Sequence, residues 1–250
     1  MSGHSKWSTI KHKKGAADKR RGAEFTKLAR AVTVAAREGG GDAQANFALR
    51  LAVDRARAAN MPKDNIERAI ARGTGEGKGE QLERIVYEGY GPGGSAILIA
   101  CTTDNRNRTV GEIRFVFNKY NGNMGEANSV AWQFDQRGVI SVPAAGIDPD
   151  ELALTAIDAG AIDVEVEGDL VTVYTAVPDF QRVREALSGA GYDVAEAELA
   201  MVPNVESQMS ERETIQVLKF IEVLEELDDV DQVWTNVEIS DAVAEQYALA

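Results

Sequence analysis

Gly73–Glu80 reads GTGEGKGE, and the patterning of the whole chain turns on it. Glycine takes every second position, and the residues between are hydroxyl-bearing or charged. Such a segment has no apolar period to pack and reads as a polar linker. The patterning changes across it. Before it, apolar residues recur every three or four positions; after it, they recur largely every second position, with helical stretches between.

On the N-terminal side the sequence predicts three helices. Phe25, Leu28, Val32 and Ala35 give one stripe on a helix over about 17–38, stopped by Gly39-Gly40-Gly41. A second helix spans about 43–59, with Phe47 and Leu51 one turn apart. A third follows in NMPKDNIERAIARG, with Pro62 in its first turn, Ile66, Ala69 and Ile70 on one face and Gly73 at its end. Three short helices on short connections predict a small bundle over residues 1–80.

On the C-terminal side, LERIVYEGYGPGGSAILIACTT predicts strand, turn and strand. A helix over about 108–120 follows, capped by Asp104 or Asn105. Residues 136–203 then read strand, helix, strand, strand, helix, strand, the βαββαβ order of a ferredoxin-like unit. Its halves echo each other in AGAIDV (159–164) and AGYDV (190–194). Ser210 and Glu213 form a capping box for a last helix through Leu227, and a final strand is predicted over 232–239. That helix and strand complete the unpartnered elements of 81–135. The expected fold is therefore α+β and multidomain: a basic all-helical domain (1–80), a discontinuous α/β domain (81–135 plus 204–250), and the ferredoxin-like unit inserted into it (136–203).

The charge is divided in the same way. The chain of 250 residues has net charge −13, yet residues 1–80 hold 17 basic against 9 acidic residues, and residues 81–250 hold 10 against 31. A basic unit joined to a strongly acidic remainder points to a polyanion partner for the former and solubility for the latter. The single cysteine, Cys101, excludes an internal disulfide and suits a reducing cytoplasm. No apolar run is long enough for a membrane span, and no membrane partner is expected.

The basic charge is densest at the front. Lys6, Lys11, Lys13, Lys14, Lys19, Arg20 and Arg21 fall within residues 3–22, and Lys27 and Arg30 continue the row. With His12 they form the predicted nucleic-acid-binding set. His4 and Trp7 are flat groups that either stack on a base or anchor the segment on the protein. Rival sites are weak. Gly89, Gly91 and Gly94 satisfy G-x-G-x-x-G, but the pattern joins two strands rather than a strand to a helix, and it encloses Pro92, so it reads as a turn. Cys101 lies in an apolar strand and reads as core. The acidic cluster from Glu222 to Asp231 reads first as a solvated face, and second as a shield for the basic segment. There is no acid–base set, no metal-ligand spacing and no cofactor motif, so no enzyme is expected; a hydrolase with an interdomain-cleft site is the third reading.

Four blocks resemble one family: MSGHSKWSTIKHKKGAADKRRGAEFTKLAR, MPKDNIERAI, YEGYGPGG and TDNRNRTVGEIR are similar to the signature blocks of the YebC family of probable transcriptional regulatory proteins. The ending DDVDQVWTNVEI departs from the aromatic-rich family ending, with Val237 where a Phe is common. The resemblance implies a helical domain plus two α/β domains, a cytoplasmic location and DNA binding in transcription. Related members also act in translation on ribosomes, so ribosomal RNA is the alternative partner. No helix-turn-helix recognition helix with base-reading Asn, Gln and Arg at its start is visible in the sequence.

Overall fold

The glycines between the first two helices answer to one asparagine. The computed structural model describes residues 6, 7, 10, 18–75 and 82–248. Helix α1 (Asp18–Gly39) ends at the glycine run, and α2 (Phe47–Ala58) starts at Asn46. The Asn46 Oδ1 accepts from the Leu49 N–H at 3.1 Å. Its amide donates to the carbonyls of Ala35 and Gly40 at 2.7 and 2.8 Å, so one buried side chain ties both helix ends. A Cβ at Gly39 would lie 2.6 Å from that amide, and Gly40 has φ +87°.

Helix α3 (Lys63–Gly73) closes the bundle; Pro62 is its N-cap residue, one place before the first turn to which the sequence assigned it. The core is Val32, Ala35 and Ala36 of α1, Leu49, Ala52, Val53 and Ala56 of α2, and Met61, Ile66 and Ala69. Helices α1 and α3 touch backbone to backbone at Gly73, where a Cβ would stand 2.3 Å from the Thr33 carbonyl oxygen and 2.8 Å from the Ala36 Cβ. Gly73→Ala is therefore expected to destabilise this unit by roughly 1–3 kcal/mol through overpacking, despite the better helix propensity of alanine. Chemical denaturation followed by circular dichroism checks it; an unchanged midpoint would refute the close contact.

Helix α2 starts at Phe47, later than the expected 43, and its apolar residues divide between two faces. Phe47 and Leu51 do not enter the bundle core. They pack outward against the C-terminal part of the chain, with the Phe47 ring edge-on to Phe180 at 6.1 Å between centroids. The helical unit has a second apolar face because it is packed on more than one side.

The first sheet has the order β3-β1-β2-β8, all neighbours antiparallel: β1 (Glu83–Tyr90), β2 (Ala96–Thr103), β3 (Asn123–Met124) and β8 (Val230–Thr235). Helices α4 (Arg106–Lys119) and α7 (Glu211–Glu225) bury Ile113, Val116, Phe117, Phe220, Ile221 and Leu224 on one of its faces. Asn105 caps α4, and Ser210 with Glu213 forms the capping box of α7. The second sheet has the order β5-β6-β4-β7: β4 (Phe134–Pro143), β5 (Ala161–Glu167), β6 (Leu170–Thr175) and β7 (Glu196–Pro203). With α5 (Pro149–Asp158) and α6 (Phe180–Gly189) this is the ferredoxin-like arrangement, and the α+β fold class holds. The echoed AG motifs do the same work twice: Gly160 and Gly191 both follow a helix end with φ of +101° and +92°.

The C-terminus differs from expectation. The last strand ends at Thr235 instead of reaching 239. The Asn236 side-chain oxygen accepts from the Ala96 N–H at 2.9 Å, and Val237 leaves to bridge Ser207 in parallel. A further helix, α8 (Asp241–Ala248), then packs Val243 and Tyr247 into the core of the first sheet. Two buried positions one turn apart are too few for a sequence period to announce it.

Candidate nucleic-acid interface

The acidic cluster is only in part a solvated face: Glu226 and Asp228 are exposed, and its other members are not. The Asp229 side chain is 1% exposed and sits where α1, β2 and α4 meet. Its Oδ2 accepts from the Thr103 hydroxyl at 3.0 Å, the Thr109 hydroxyl at 2.8 Å and Arg108 Nη2 at 2.7 Å. Its Oδ1 accepts from Arg108 at 3.0 Å and from Arg30 at 2.9 Å. Burial alone would raise its pKa; the bonds from Arg108, Thr109 and Thr103 outweigh it and hold the carboxyl below its ordinary value. Asp231 accepts from the Thr102 hydroxyl at 2.7 Å, and there burial wins and pushes the carboxyl up.

The same acidic segment receives three of the sequence-predicted residues, and a fourth pairs elsewhere in the acidic remainder. Trp7 is buried, its indole N–H donating to Glu225 Oε2 at 3.0 Å and its ring 5.9 Å from that of Tyr247. Lys27 donates to the Glu225 carbonyl at 2.6 Å, and Arg30, three residues on along α1, reaches Asp229. Lys6 meets Glu167 at 3.0 Å and Asp241 at 2.9 Å. Burial works against the Lys6 charge, but the bonds to Asp241 and Glu167 outweigh it and hold its pKa above the usual lysine value. Lys6, Trp7, Lys27 and Arg30 thus lie along a seam where the basic front of the chain docks on its acidic remainder. Lys19, Arg20 and Arg21 fall on the first turn of α1, with side chains outside the described residues. His4, Lys11, His12, Lys13 and Lys14 lie outside the described residues altogether.

Further ion pairs fix the helical unit on the rest of the chain: Arg84 of β1 with Glu38 at 3.2 Å, Arg184 of α6 with Asp54 at 3.0 Å and Glu198 of β7 with Arg55 at 3.3 Å. Within the helical unit, α1 and α3 leave a cavity of about 390 Å³ between them. Phe25, Thr26, Ala29 and Arg30 line one wall, and Met61, Asn65, Arg68 and Arg72 the other. Arg68 and Arg72 are exposed and stand one turn apart on α3. Arg68 donates to the Asp64 carbonyl at 3.1 Å and to Asn65 Oδ1, both uncharged acceptors. The sequence reading missed these two arginines because it followed only the apolar face of the third helix; their i, i+4 spacing was the available signal.

The remaining buried reactive groups are occupied structurally. Glu88 accepts from the N–H groups of Asn128, Val130 and Ala131 at 2.8 to 2.9 Å, which hold its carboxyl below the usual range against the opposing effect of burial. Cys101 is 1% exposed, and burial pushes its thiol up, away from reactivity.

Two family descriptions match this architecture: the N-terminal domain of TACO1/YebC proteins over residues 5–76, and their second and third domains over residues 82–237. The chain belongs to the TACO1/YebC family. A relative from Herpetosiphon aurantiacus, named a probable transcriptional regulatory protein, is 51% identical over 99% of both chains. One from Geobacter sulfurreducens with the same description is 54% identical over 96% of this chain and 97% of its own. Among solved structures, a conserved hypothetical protein from Aquifex aeolicus superposes with a TM-score of 0.81 at 43% identity, covering 90% of this chain and 93% of that one. In TACO1/YebC terms, the seam joins the N-terminal domain to the part of the chain that follows it, and the block TDNRNRT supplies Thr103, Arg108 and Thr109 around Asp229. No described helix is long and apolar enough to cross a membrane.

Proposed function

We propose that this chain is a regulatory protein that binds nucleic acid through its N-terminal helical unit, gripping the sugar–phosphate backbone rather than reading bases. The observation that carries the reading is the segregation of charge: the helical unit is strongly basic, and the remainder carries the compensating acid. The names of the relatives support DNA and transcription as the setting. A second reading, ribosomal RNA and translation, is favoured by α3 itself. Its exposed face carries Asp64 and Glu67 beside Lys63 and Arg68, and carboxylates there oppose insertion into a DNA major groove.

The expected behaviour is steep salt dependence, with log K falling by about 0.9 per phosphate contact per decade of salt on duplex DNA, or about 0.7 on a single strand. Titration of duplex DNA and of a ribosomal RNA fragment by fluorescence anisotropy at several salt concentrations measures it. Flat binding would sink the backbone-gripping reading. Crosslinking in cells separates the settings: promoter DNA supports transcription, and recovery of ribosomal RNA with no promoter DNA replaces it with translation.

A further inference from the structure

We infer that the cavity between α1 and α3 receives a single unpaired nucleotide of a bound strand, its phosphate on Arg68 and Arg72 and its base against Phe25. The inference rests on the nucleic-acid reading and names the feature of the strand that the site takes.

Four observations support it. The volume of about 390 Å³ lies within the range of small-ligand sites, so it holds one nucleotide and not a duplex. Stacked base pairs present a convex cylinder of phosphates and cannot enter a concave gap between two helices. A nucleotide that has left the stack can. The charge on the α3 wall is also open: among the described residues neither Arg68 nor Arg72 makes an ion pair, and no carboxylate lines the cavity. Two guanidiniums at i, i+4 repel each other on a bare helix, and a phosphate between them removes that cost. Arg68 is already oriented by the Asp64 carbonyl and Asn65, so little side-chain freedom is lost on binding.

The other walls suit a base. Ala29 and Ala69 are small enough to leave room for a flat ring, with Phe25 and Met61 as apolar contacts. The Asn65 amide retains donors for a base edge.

The test compares a fully paired hairpin with the same hairpin carrying one bulged adenosine, each made as RNA and as DNA, binding the full-length protein. The expected result is about tenfold tighter binding of the bulged form, the scale of one base stacked on an aromatic ring. In the double variant Arg68→Gln, Arg72→Gln the ratio of the two affinities falls to about one, with the melting temperature unchanged because both side chains are exposed. A ratio near one in the wild type, or a ratio that survives in the double variant, overturns the assignment while leaving nucleic-acid binding intact. Failure to bind either hairpin overturns both readings together. Adenosine monophosphate that binds the cavity as tightly as the bulged hairpin assigns the site to free nucleotides and overturns the role of the strand.

Discussion

Asp229→Ala is expected to lower the melting temperature of this protein by roughly 10 °C. The carboxylate is buried and receives Arg108, Arg30 and two threonine hydroxyls. Its removal leaves the buried Thr103 hydroxyl without its acceptor, at about 1–3 kcal/mol, while the Thr109 hydroxyl keeps the Asn105 carbonyl and Thr103 within reach. Arg108 is partly exposed and regains water, so the total stays near the 3–5 kcal/mol typical of a broken buried pair. At about 2–4 °C per kcal/mol for a chain of this size, the shift follows. Asp229→Asn keeps the shape but not the charge, and serves as the pH probe. Since the folded pKa lies below the unfolded one, the carboxylate stabilises the fold above the unfolded value, near 4, and that stability is lost as pH falls through the folded pKa. The gap between wild type and Asp229→Asn should therefore be constant from pH 7 to about 5 and narrow below about 4. A shift under about 2 °C for Asp229→Ala, or a gap that widens in acid, would falsify the role of Asp229 as the hub of the seam.

What was legible in the sequence follows from the range of each interaction. Ser210 with Glu213, Asp148 with Pro149, and the glycines at 160 and 191 are local signals, and the structure places each where its chemistry requires. The βαββαβ order was legible because Val164 and Val166 pair with Val173 and Val171 across a tight turn. The Asp229 hub was not. Arg108 lies 121 positions from Asp229, and no spacing links TDNRNRT to DDVDQ until the sheet sets β8 beside β2. The same holds for Phe47, whose partner Phe180 belongs to another unit. Acidic residues at helical spacing look solvated in sequence. Here the basic surface that covers them comes from the far end of the chain, through Trp7, Lys27 and Arg30.

That division among the cations sets the expectation for binding. Replacing Lys11, Lys13, Lys14, Arg20 and Arg21 together by alanine should weaken nucleic-acid binding on the order of a thousandfold at physiological salt. It should also flatten the salt slope by about 4.5 on duplex DNA or about 3.5 on a single strand, the share of five phosphate contacts. Lys27→Gln with Arg30→Gln is the contrasting pair. Arg30 is paired with the Asp229 carboxylate and also reaches the Asp228 carbonyl, and Lys27 is held by the Glu225 carbonyl, so both side chains are committed to the seam. Their replacement should lower the melting temperature and leave the slope within about one unit of wild type, because Arg30 is already neutralised by a carboxylate and Lys27 alone would account for at most one phosphate contact. Salt-dependent titration of the three proteins on one duplex and one single strand measures all of this. If the five-site variant keeps the wild-type slope while the Lys27 and Arg30 pair loses it, the acidic remainder is a competitor that nucleic acid displaces, and the binding surface is the seam itself.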